Sequence, residues 1–171
     1  GMHTKEKVLI HKGIDMVKRG MHEKALEYYD RALEINPNSS DAWNNKGVAL
    51  YRLNRIDEAL QCYHRALEID PDNLDAMRNI AFVHRARGEF EKAMELYETV
   101  MERGGDAYDL EAKATILVAL GRFQEAIECI GRAYEMTPDP RFEVEMAAII
   151  GKIQAMEDLA RESSGTEQSG G

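Results

Sequence analysis

Cys62 and His64 stand two residues apart, the kind of pair that could hold a metal or activate a nucleophile. On a helix that spacing points the two side chains to different faces, so they do not converge. The other histidines, His3, His11, His22 and His84, fall in different segments and read as solvated or half-buried side chains. No G-x4-G-K-[ST] run is present to cradle a phosphate, and neither H-E-x-x-H nor a paired C-x-x-C is present to hold zinc. Catalysis is not indicated, and no cofactor is implied. The chemistry that remains is recognition. Asn44, Asn45 and Asn79 lie inside helical patterns that do not favour Asn, and their amides can serve both the donors and the acceptors of a bound backbone. Arg78 and Arg85 make a local positive spot suited to a carboxylate, or else they neutralise Asp and Glu on neighbouring helices.

Two short helical patterns position these residues, and both can be read in Ser40 to Pro71. From about Asp41 to Leu53, Trp43, Gly47 and Leu50 follow each other at three- and four-residue steps along one face. Gly47 lets a neighbouring helix come close. From about Ile56 to Ile69, an apolar stripe carries the small residues Ala59 and Ala66 where larger ones would hold the paired helix away. Pro71 closes the unit.

Laid over itself, the chain repeats this unit. Ala25, Ala59 and Ala93 are evenly spaced and Ala126 arrives one residue early; Tyr29, Tyr63, Tyr97 and Ile130 keep step with them. Gly13, Gly47, Ala81 and Ala114 supply the small residue of each first helix. Pro37, Pro71 and Pro138 close three units, and Arg103-Gly104-Gly105 closes the third in order. A period of about 34 residues, with Trp43 and Gly47 opening, Ala59, Tyr63 and Ala66 in the second helix and a closing Pro, resembles the tetratricopeptide repeat. The resemblance covers roughly Glu6 to Pro140. It departs where Lys12 and Lys46 replace a usual Leu, and where Leu9, Met77 and Leu110 stand in for Trp43.

The resemblance implies an all-α fold: a right-handed α-solenoid of about four helix-turn-helix repeats, near 6–39, 40–73, 74–106 and 107–140, with a capping helix near 141–161. It also implies that the first helices line a concave groove for an extended peptide or a partner helix. The face turned away from the packing residues gives Asn44, Asn45, Val48, Tyr51, Arg78, Asn79, Phe82 and Arg85 as groove residues. Ile10, Ile14 and Val17 of the first repeat belong either to that face or to helix packing. One branch of the family grips a C-terminal EEVD with a clamp of Lys, Asn and Arg. The matching places here carry Ile10, Ile14, Asn45, Asp75 and Asn79, of which only Asn45 agrees, so the resemblance does not extend to that clamp.

A net charge of −9 argues against nucleic acid or an anionic membrane as partner. The amino terminus lacks a secretory pattern, no apolar run is long enough to span a bilayer, and Cys62 and Cys129 read as buried free thiols, so a cytoplasmic setting is expected. Gly1 before Met2 reads as the remnant of a cleaved tag. Beyond Pro140, Phe142, Met146, Ile149, Ile150, Ile153 and Met156 share one side of a closing helix, and the polar, glycine-rich 163–171 is expected to be disordered. Two functions fit. One is a non-catalytic adaptor whose groove takes an unidentified protein or peptide; the other is an assembler that self-associates through its terminal helices, the first helix or the C-terminal one, the latter giving a homodimer.

Overall fold

The computed structural model describes residues 4–169, so Gly1 and His3 lie outside it. Among those residues all regular structure is helical: α1 Thr4–Lys18, α2 His22–Ile35, α3 Ser40–Arg52, α4 Ile56–Ile69, α5 Leu74–Ala86, α6 Phe90–Glu102, α7 Ala107–Ala119, α8 Phe123–Met136 and α9 Pro140–Ser169. None of these helices is long and apolar enough to cross a membrane. The chain divides into two compact units, through Leu96 and from Tyr97, with the dividing point inside α6.

In the first unit the helices pair as α1 with α2 and α3 with α4. Each hairpin closes on a residue with positive φ: Gly20 at 78°, Asn54 at 63° and Gly88 at 76°. Asn54 is the one non-glycine with positive φ among the described residues, a conformation asparagine tolerates better than most. The pairs close tightly because their contact points are stripped of side chain. Ala25, Ala32, Ala59 and Ala66 are fully buried, and a Cβ added at Gly47 would sit 2.5 Å from the Tyr63 ring. Tyr29 fills the same role against Gly13.

Polar groups tie consecutive hairpins together. Ser39 caps α3, its Oγ accepting from Ala42 N at 3.2 Å, and Asn73 caps α5 by accepting from Ala76 N at 3.0 Å. Ser40 Oγ donates to the Ala66 carbonyl at 2.8 Å and accepts from Asn73 Nδ2 at 2.8 Å. One hydroxyl thus joins the start of α3, the end of α4 and the cap of α5. The unusual Lys46 pairs with Asp30 at 2.8 Å, with its ammonium 5.5 Å from the Trp43 ring. Of the three first-repeat residues left open by the sequence, Ile10 is buried, and Ile14 and Val17 pack against the same core.

In the second unit α7 pairs with α8, and α9 lies on α8. Asp106 and Asp109 form a reciprocal capping box at the start of α7. Phe142 is fully buried, with its ring centroid 5.6 Å from that of Tyr108. Ile149 is buried too, and Met146 and Ile153 are half-buried. The apolar side expected for the closing helix is only partly used, because Ile150 and Met156 remain exposed. The helix also runs on through Ser169, where the sequence predicts disorder from 163; residues 170–171 lie outside the described residues. Nothing between Ser163 and Ser169 removes a backbone donor as proline would, and an Arg161–Asp158 pair braces the preceding turn.

A carboxyl cluster lies where α9 begins. Arg141 pairs with Glu111 and lies over the Tyr108 ring at 4.4 Å, and the Tyr108 hydroxyl donates to Asp139 Oδ2 at 3.1 Å. Glu145 faces Glu111, Arg141 and Asp139; burial, then a hydrogen bond with Glu111, raise its carboxyl from 4.5 to about 7. A carboxyl raised on folding binds its proton more tightly in the native state, so its contribution is complete below its ordinary value. That contribution is lost as pH rises from about 4.5 through about 7. Docking of α9 should therefore weaken between pH 5 and 8, and Glu145→Gln should flatten the trend. Thermal unfolding of both proteins across that range reads it, and equal slopes would contradict it.

Candidate functional site

The eight expected groove residues all lie in the first unit, on α3 and α5. Four of them meet: Val48, Tyr51, Asn79 and Phe82 line one hollow of about 330 Å³, together with Arg52, Tyr63 and Val83. Phe82 is 47% exposed and meets Tyr51 edge to face, with centroids 5.6 Å apart and planes at 77°. Such a pair is worth about 0.5–1.5 kcal/mol beyond the area it buries, which holds both rings in place without a ligand. A pre-set aromatic wall costs little order when it binds.

The other four have different surroundings. Asn44 is buried, and its Oδ1 accepts from Asn79 Nδ2 at 2.9 Å, so this amide links α3 to α5. Asn45 is half-buried, with Nδ2 donating to the Asp41 carbonyl one turn back at 2.8 Å. Much of the reason for asparagine inside these helices is therefore internal. Arg78 is bound by Asp75 at 3.0 Å, the neutralised arrangement that the sequence left as an alternative. Arg85 is exposed, one turn beyond Phe82. The residue the sequence reading missed is Arg52, exposed and on the wall of the hollow. Its signal was its place beside Tyr51 at the end of α3.

A larger hollow of about 460 Å³ lies among α2, α3 and α4, with Trp43, Lys46, Arg55, Glu58 and Arg65 around it. Its charged side chains are already paired: Lys46 with Asp30, Arg55 with Glu58 at 2.6 Å, and Arg65 with Glu68 outside the hollow at 3.0 Å. The Arg55 hydrogen bond also draws the Glu58 carboxyl below its ordinary range. Cys62 borders this hollow, and burial pushes its thiol up to about 11, which leaves it unreactive at neutral pH. Burial raises the Cys129 thiol too, and no group of three or more His, Cys, Asp and Glu with metal-binding geometry occurs among the described residues.

Paired short helices, fully buried alanines between them and glycines under aromatic rings define a helical-repeat protein, the class of the α-solenoids. The chain belongs to the tetratricopeptide repeat family: profiles described as tetratricopeptide repeat match residues 40–73, 57–114 and 110–140, and one described as TPR repeat matches 15–54. An uncharacterized protein of Methanocaldococcus jannaschii is 51% identical over 35 residues, 20% of this chain and 41% of that protein. The match thus spans under half of that relative's length. Among solved structures, PilF of Pseudomonas aeruginosa is similar with a TM-score of 0.80 at 22% identity, over 91% of this chain and 72% of that one. MamA residues 41 to the end, from Desulfovibrio magneticus RS-1, give a TM-score of 0.73 at 17% identity, over 98% and 96%. At these identities the likeness is one of fold.

Proposed function

We propose that this protein is a non-catalytic adaptor that holds a peptide or helix of a partner protein against the face formed by α3 and α5. The observation that carries the reading is the hollow between Tyr51 and Phe82, where a large aromatic side chain stays half in solvent although the helices around it are packed. An apolar hollow with the Asn79 side chain on its wall suits a main chain with one anchoring side chain. The reducing, cytoplasmic setting expected from the sequence is consistent with two buried free thiols.

The experiment is affinity capture from the source organism with wild type and Phe82→Ala side by side. Because Phe82 is about half exposed, its loss should spare the fold and reduce retention of the specific partner by about tenfold. Equal retention would put the partner on another surface.

A second reading rests on α9. Val144 is 70% exposed, Leu159 63% and Met156 56%, much apolar surface for one helix, and apolar surface of this kind is what homodimers cover. Sedimentation decides it: a concentration-dependent dimer abolished by Met156→Glu and Leu159→Glu would support self-assembly, and a monomer at high concentration would remove it.

A further inference from the structure

This inference rests on the α3–α5 face as the binding surface and asks what chemistry the occupant carries. The arginines of the first unit fall into two sets. Arg19 is held by Asp15, Arg55 by Glu58, Arg65 by Glu68, Arg78 by Asp75 and Arg87 by Asp57, and Arg31 lies over the Tyr28 ring. Arg52 and Arg85, by contrast, make no ion pair among the described residues, and both are exposed. Arg52 lines the hollow; Arg85 is not part of its lining but follows Phe82, which is, by one turn on the same helix. In a chain of net charge −9, where carboxylates outnumber cations, two guanidinium groups left without carboxylates, one on the wall of an apolar hollow and one a helical turn past Phe82, are a charge-complementarity signal.

We infer that the occupant is an internal acidic segment of a partner protein, with one apolar side chain seated against Tyr51 and Phe82 and flanking Asp or Glu side chains on Arg52 and Arg85. A guanidinium fork grips a side-chain carboxylate as well as a terminal one, so recognition needs no chain end. The hollow accepts one large side chain, Leu, Ile or Phe in size, which sets the register. The carboxylates on either side supply attraction at a distance and make binding salt-dependent.

The test is selection of a displayed random dodecapeptide library on the full chain, followed by fluorescence anisotropy of recovered peptides against wild type, Arg52→Ala/Arg85→Ala, Phe82→Ala and, as a remote control, Arg19→Ala. The recovered sequences should carry an apolar residue between Asp or Glu. Their affinity should fall about tenfold or more in the double arginine variant and in Phe82→Ala, stay level in Arg19→Ala, and drop as salt is raised. Neutral or basic winners, or acidic winners insensitive to the arginine pair, overturn the acidic-segment inference; if Phe82→Ala still weakens them, the groove itself stands. Failure to enrich any sequence, or winners insensitive to Phe82→Ala as well, overturns both readings. One further result would replace the occupant. Should the protein alone dimerise in sedimentation, and the dimer vanish in Arg52→Ala/Arg85→Ala, the acidic segment is the α9 end of a second copy, where exposed Leu159 lies beside Glu157 and Asp158.

Discussion

Phe142→Ala should release α9 from the second unit. The ring is fully buried at the first turns of α9 and packs 5.6 Å from Tyr108, so truncation opens a cavity where the helix is anchored. Removing a buried aromatic side chain costs about 3–5 kcal/mol. What would remain to hold the helix is modest, since Ile149 is its one other buried apolar residue and Val144, Met156 and Leu159 are exposed. A repeat protein draws stability from each neighbouring interface, so the loss should be local rather than global. Hydrogen exchange should show α9 amides losing protection while α3 to α5 keep theirs. Phe142→Leu, which keeps most of the volume, should cost under about 1.5 kcal/mol and leave α9 docked. Full protection of α9 in the alanine variant would mean that its anchor lies elsewhere.

Gly47→Ala is expected to destabilise the first unit although alanine is the better helix former. The added Cβ would lie 2.5 Å from Tyr63 Cε1, 2.7 Å from Cδ1 and 3.1 Å from the Ala59 carbonyl oxygen. A buried ring and a backbone oxygen leave little room to move, and overpacking of this kind costs about 1–3 kcal/mol. The helix-propensity gain offsets only about 1 kcal/mol of it. Gly151→Ala provides the matched control: its Cβ meets nothing within 4 Å, so the same exchange in α9 should stabilise by about 0.5–1 kcal/mol. Denaturant titrations of the two variants should move in opposite directions. Because Tyr63 also lines the hollow beside Phe82, Gly47→Ala should weaken partner binding too.

The residues that made the fold legible are those the helices press together. Ala25, Ala59, Ala93 and Ala126 recur in sequence because each sits at a contact that admits no larger side chain, and all four are fully buried. Helix ends were legible for a similar reason, since Ser39, Gly20 and Gly88 are each required by local geometry. The candidate site was half legible. Val48, Tyr51, Asn79 and Phe82 share a face by helical spacing alone, and they meet. The Asn44–Asn79 hydrogen bond was not, because it joins residues 35 apart and no local rule pairs two amides across helices. Arg78 could have been set aside from its Asp75 neighbour three residues back, whereas Arg52 gains meaning only from the hollow it borders. The extension of α9 to Ser169 eluded a compositional reading, which weighs Gly and Ser as loop formers.

Hydroxyl-radical footprinting of the protein with and without its captured partner bears most directly on the α3–α5 face as the binding surface. Tyr51 and Phe82 should lose reactivity on complex formation, while Met156 and Leu159 on α9 keep theirs. Protection of the α9 residues with unchanged labelling at Tyr51 and Phe82 would contradict the account.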